Sequence, residues 1–173
     1  LLVVTAENVH AITHMKEGLG YSVTQAAFFI MIMTFGQVGG VILSATIGDR
    51  FEKRLLAACC MFGHMLGLLL LTYATHPAQV AAFALLHGMA WGLRGPLMQS
   101  IRADYFGRNA IGMILGLSSV IIALGQIAGP MVAGMMADLT GNYRSGFTVL
   151  ALSAGCGSLL FILAIRPQRP LAS

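Results

Sequence analysis

A handful of polar residues sit inside stretches that are otherwise apolar, and their types could do chemistry. Arg94 carries a guanidinium, a planar fork that matches a carboxylate. His87, Trp91 and Arg94 are spaced by four and then three, which puts them near one helical face. Trp91 there could stack on a substrate or simply pack. His87 could relay a proton or be a satisfied interior histidine. Gln37 and Gln126 lie in glycine-rich stretches, where an amide either bonds substrate or joins helices. Glu7 and His10 are one turn apart, as a proton-coupling pair would be, or a helix pair satisfied by its neighbours. His10 and His14 have the i, i+4 spacing of a metal clip, but no HExxH pattern or further ligand accompanies them. No metal and no cofactor is expected. Ser118-Ser119 lacks a recognisable dyad, so an intramembrane enzyme is not the reading.

The segments that must hold these residues are defined by missing charge. Asp, Glu, Lys and Arg are absent from Gly18 to Gly48, Leu55 to Leu93, Asn109 to Ala137 and Ser145 to Ile165. A bilayer core of about 30 Å is crossed by about 20 apolar helical residues. The chain is 57% hydrophobic and 9% charged, against about 25% charged in soluble domains. Runs such as FALLHGMAWGL and SLLFILAI do not alternate as barrel strands would, so the spans are helices. The fold class is therefore an all-α polytopic membrane protein.

Six segments follow: 1–15, 23–47, 55–75, 79–101, 110–137 and 146–165. Ser22-Val-Thr-Gln25 is a capping-box pattern that starts the second. His76-Pro77 ends the third and opens the fourth, because proline suits a helix's first turn. The first segment would reach only about 22 Å, and is read as the end of a longer helix in a carboxy-terminal fragment. The third and sixth segments are the more plainly apolar and suit a lipid-facing position, with no role given to His64. The second, fourth and fifth suit the bundle interior. Gly129-Pro130 and Gly95-Pro96 should bend their helices locally. Cys59, Cys60 and Cys156 fall inside apolar runs and read as small packing residues.

The ten Lys and Arg form no basic stripe, so no nucleic acid is expected as a partner. They report topology instead. One set of alternate connections holds Arg50, Lys53, Arg54, Arg102, Arg108, Arg166 and Arg169; the other holds Lys16 and Arg144. The positive-inside rule puts the first set, and the carboxy terminus, in the cytoplasm. Arg94 is the remaining one, within a span. A charge near the bilayer centre costs at least about 2.5–3.5 kcal/mol. It either snorkels to the inner interface or bonds a carbonyl freed by Pro96, or it faces a cavity and binds an anion.

The connection after the second segment, Ile47-Gly-Asp49-Arg50-Phe-Glu52-Lys53-Arg54, resembles the cytoplasmic-loop signature of the major facilitator superfamily. Asp49, Arg50, Lys53 and Arg54 match; Ala45 and Glu52 replace the signature glycines. HGMAWGLRGPLMQSIRADYFGRNAIGMILGL and GQIAGPMVAGMMADLTGNYRSGF resemble the superfamily's corresponding helix, loop and Gly-Pro helix. Their tone is similar to bacterial relatives of the monocarboxylate and oxalate–formate carriers. The resemblance implies the carboxy-terminal six-helix half of a twelve-helix transporter, its first helix clipped. It also implies a conformational latch at Asp49, Arg50, Lys53 and Arg54, with Asp104 and Arg108 as its counterpart on the next cytoplasmic connection. The superfamily's signature arginine, aligned on Gly88, corresponds to the uncharged Ala84, so Arg94 inherits no role.

The expected function is alternating-access secondary transport of a small organic anion such as a monocarboxylate. Arg94, Trp91, His87, Gln37 and Gln126 would bind substrate, and Glu7 and His10 would couple a proton. Its partners would be that substrate, a proton, the bilayer of a bacterial inner membrane and the amino-terminal half. An exporter of hydrophobic compounds, with Arg94 structural, is the nearest rival; a non-transporting scaffold or receptor on the same fold is the other.

Overall fold

A computed structural model describes residues 1–107 and 111–164, and six α-helices account for nearly all of them. They are α1 (Leu2–Thr13), α2 (Val23–Ile47), α3 (Lys53–Thr72), α4 (Pro77–Phe106), α5 (Ile111–Thr140) and α6 (Arg144–Leu163). A single π-helical turn, His14–Gly18, continues α1. Among the described residues α2, α3, α5 and α6 are long and apolar enough to cross a membrane. The 30 residues of α4 suffice in length, but Gln79, His87, Arg94, Gln99, Arg102 and Asp104 dilute its apolar character.

Local chemistry sets the helix starts. Ser22 accepts from the Gln25 amide while the Gln25 side chain accepts from the Ser22 amide, closing the capping box that opens α2. His76 caps α4 through Nδ1, which accepts from the Ala78 amide, and Pro77 occupies the first turn. Helix α4 continues past Ile101 to Phe106, because nothing in Arg102-Ala-Asp-Tyr breaks a helix before Gly107 at φ 75°. Pro96 and Pro130 are accommodated inside unbroken helices.

Helix α4 lies between α2 and α3, α3 also packs on α6, and α5 packs on α1 and α6. The α2–α4 contact is backbone on backbone. A methyl added at Gly88 or Gly92 would overlap the carbonyls of Met33 and Gln37, and one at Gly40 would overlap that of Met89. Two small-residue stripes, Gly36/Gly40 and Gly88/Gly92, thus interlock, the arrangement that lets helices associate where lipid supplies no hydrophobic drive. Phe83, Phe147, Met15, Leu68, Leu71 and Leu150 share the main core cluster, while Leu97, equally buried, packs in a smaller one with Cys60 and Ala90.

The lipid-facing assignment of α3 needs correction. Half of its apolar window is buried within the bundle, whereas none of that of α5 is. Ala57, Ala58, Gly63 and Gly67 let α3 press against α4 and α6, and His64 turns inward with them. Helix α5 buries only Gly129 and Ala133.

Candidate functional site

A cleft of about 460 Å³ opens between α1, α4 and α5. Helix α4 lines it with Trp91, Arg94, Met98 and Arg102, one continuous face at helical spacing, and α5 adds Ile121, Ile122 and Gly125. The volume falls in the range of small-molecule pockets, about 300–1,000 Å³. Arg94 Nε is buried and has no hydrogen-bond partner among the described residues. The same side chain borders a second pocket, about 240 Å³, shared with His64, Met61, Val4 and Ser153.

Behind this face, three ionisable side chains from three helices meet in the interior. Glu7 of α1 and His87 of α4 are both fully buried, with Oε2 and Nε2 3.3 Å apart. His64 of α3 places Nδ1 3.2 Å from the same His87 Nε2. The two imidazoles meet edge to face at 4.3 Å between centroids. His64 Nε2 has no partner among the described residues. Both Glu7 oxygens are buried without a hydrogen-bond partner among the described residues, so the 3.3 Å approach of His87 is a contact and not a formed hydrogen bond.

The structure therefore divides the residues singled out in the sequence. Trp91 and Arg94 share the cleft, while His87 turns from it toward Glu7 and His64. His10 parts from Glu7: its Nε2 lies 3.1 Å from the Pro130 carbonyl, and its ring lies against Tyr143. Gln37 sits in the α2–α4 seam, with its carbonyl against Gly92, and Gln126 is exposed on α5. Neither lines the cleft. Among the described residues no cluster of three or more His, Cys, Asp or Glu is arranged to hold a metal. His64 was missed in the sequence because its neighbours are uniformly apolar; its being the one strongly polar side chain in that run was the available signal.

At the opposite end of α4 from His76, Lys53 Nζ donates to Asp104 Oδ2 at 2.8 Å and lies 3.6 Å from Asp49 Oδ1. Arg54 pairs with Glu52 and reaches the Ile162 carbonyl at 3.4 Å, and the Tyr105 hydroxyl donates to the Ala164 carbonyl at 3.0 Å. The α2–α3 loop, the end of α4 and the end of α6 are thus tied together. Arg50 is exposed beside them, and Arg108 lies outside the described residues. At the other end of the bundle, burial and then the Glu17 and Asp138 carboxylates raise the Tyr143 phenol above its ordinary pKa.

A sequence model of the family described as the Major Facilitator Superfamily matches residues 8–173. The chain belongs to that superfamily. Among curated relatives, monocarboxylate transporter 13 of Bos taurus is 27% identical over 156 residues, which cover 88% of this chain and 36% of the relative. The gentisate transporter of Corynebacterium glutamicum is 24% identical over 157 residues, 90% of this chain and 35% of the relative. A triacylglyceride transporter of Mycolicibacterium hassiacum is 23% identical over 163 residues, 92% of this chain and 30% of the relative. The chain spans about a third of the length of the relatives it matches. As a major facilitator sequence it is an integral membrane protein of helical spans.

Proposed function

We propose that this chain is one six-helix half of a secondary active transporter that moves a small organic anion, such as a monocarboxylate, by alternating access. The observation that carries the reading is Arg94, whose Nε is buried without a hydrogen-bond partner among the described residues, at the wall of a cleft of ligand size. An intramembrane charge marks a substrate or ion pathway by default. The names of two of the reported relatives, transporters of monocarboxylates and of gentisate, favour carboxylated cargo, while the triacylglyceride transporter names a hydrophobic one. A second six-helix half would close the cleft from the side that α5 leaves bare.

Trp91 stacks beside the anion, and Gln37 and Gln126 reach it only as the halves move. Glu7 is the proton carrier; His10, held by Pro130, tunes the α1–α5 contact. The Lys53 cluster with Asp49, Asp104 and Arg50 is the latch that parts when the cytoplasmic side opens. The basic connections put that end, with the carboxy terminus, on the cytoplasmic face of a plasma membrane.

The test is uptake of labelled lactate and gentisate by the complete transporter in liposomes, with and without Arg94→Gln. Loss of the cation lowers uptake at least about ten-fold, equivalent to about 1.4 kcal/mol. Unchanged uptake in the variant removes Arg94 from recognition and favours a hydrophobic cargo.

A further inference from the structure

We propose that Glu7, His87 and His64 form one proton-holding unit, and that His64 is the residue through which it exchanges protons with the small pocket shared with Arg94. The inference deepens the transporter reading and rests on it for the coupling, though not for the proton site itself. Its basis is geometric. His87 Nε2 is within 3.3 Å of Glu7 Oε2 and 3.2 Å of His64 Nδ1, so one atom faces both a carboxylate and an imidazole. His64 Nε2, the far nitrogen of the outermost member, is buried and has no partner among the described residues. The pocket that His64 lines is about 240 Å³, ample for several waters, each of which occupies about 30 Å³ in the liquid.

The transfer sequence balances at each atom. A hydronium ion in the pocket gives its proton to His64 Nε2 and leaves as water, while the bond from Nδ1 to its hydrogen breaks. That hydrogen passes to His87 Nε2. From there it passes to Glu7 Oε2, leaving His87 as it began and the carboxyl neutral. One positive charge enters from the pocket and neutralises one carboxylate. His87 keeps its tautomer because both hand-offs use Nε2, and since that nitrogen has a single lone pair the ring turns between accepting from His64 and giving to Glu7.

The charged and titratable groups around the unit are few. Helix α4 brings Arg94, and α3 brings Cys60 beside it. The side chains that α6 adds there, Ser153 and Ala154, carry no charge. Arg94 faces both the small pocket and the large cleft. As a cation it opposes entry of a proton at His64. An anion bound in the cleft neutralises it and removes that opposition. Proton and anion therefore favour each other's binding, and by linkage the effect is equal in both directions.

Two measurements on the complete transporter test this. In liposomes, lactate uptake driven by a pH gradient is compared with lactate–lactate exchange, which needs no net proton movement. The ratio of driven uptake to exchange falls about five-fold or more in His64→Gln, the lower end of linked-site coupling. In detergent, infrared difference spectra follow the carboxylic C=O stretch that disappears in Glu7→Gln. Its midpoint moves by about one pH unit or more in His64→Gln, as for interacting sites. Should His64→Gln not fold, His64→Asn takes its place, and in the wild type the carboxyl and imidazole bands titrate together.

A wild type that carries neither lactate nor gentisate, yet has the coupled carboxyl band, removes the organic-anion reading and leaves the proton unit standing. pH-driven lactate uptake that is equal in wild type and variant overturns the proton unit and leaves the transporter reading intact. A Glu7 band indifferent to His64, or wild-type bands that titrate independently, overturns it as well.

Discussion

Ser158 of α6 donates through Oγ to the Ala58 carbonyl of α3 at 2.8 Å, in a buried seam. Interhelical hydrogen bonds in membranes average about 0.6 kcal/mol and reach about 1.7, because the unfolded chain in lipid also finds partners. Ser158→Ala should therefore cost about 0.6 kcal/mol of stability in detergent. A loss above about 2 kcal/mol would mean that the serine does more than hold this seam. Single residues were unevenly legible in the sequence. Arg94 announced itself, since a cation in an apolar run needs a reason. Glu7 and His10 are one turn apart, but three residues advance a helix by 300°. The resulting offset of about 60° turns Glu7 to α4 and His10 to α5. Spacing places residues near one face; it does not say which neighbour each one meets.

Between elements, the α2–α4 seam makes the sharpest demand. Gly88→Ala or Gly92→Ala would drive a methyl into the carbonyl of Met33 or Gln37, and backbone cannot rotate aside as a side chain does. Overpacking costs about 1–3 kcal/mol even where side chains can adjust, so each variant should unfold at a clearly lower temperature. Gly39→Ala, on the same α2 but in open space, should be neutral or slightly stabilising, by up to about 1 kcal/mol. Equal melting of all three variants would mean that the seam is looser than described. The bounds of α2 were readable because Ser22 and Gln25 supply both halves of a cap, and the start of α4 because proline fixes its first turn. The inward face of α3 was not. In lipid, polarity does not separate buried from exposed faces; small residues do, and Gly63 and Gly67 mark the side on which His64 lies.

Across the whole molecule, the contacts of Lys53 join the α2–α3 loop to the end of α4 at the same pole where α6 finishes. The Lys53–Asp104 pair is partly buried, and reversal adds repulsion to the loss of the pair, so reversing one charge should lower the transport rate of the complete protein by more than the about five-fold that losing about 1 kcal/mol at the surface would give. Lys53→Asp alone sets like charges beside Asp49 and Asp104; adding Asp104→Lys should restore much of the rate. Failure of the double reversal to recover any activity, with expression intact, would remove this pair from the gating cycle. The superfamily was legible from Ile47 to Arg54 and from the two glycine–proline helices, because those short signatures combine charge with fixed spacing. The proton-holding cluster was not legible, since its members come from α1, α3 and α4 and meet only through the packing of the bundle.

Because the main chains of α2 and α4 touch directly, no cushion of side chains is available to lubricate a slip between them. One helix cannot ratchet along the other without carbonyl striking Cα. Whatever rocking this bundle undergoes must carry the pair as one stiff plank. Any bending is left to elements outside that seam, such as α1, whose continuation is a π-helical turn wound out of the ordinary register.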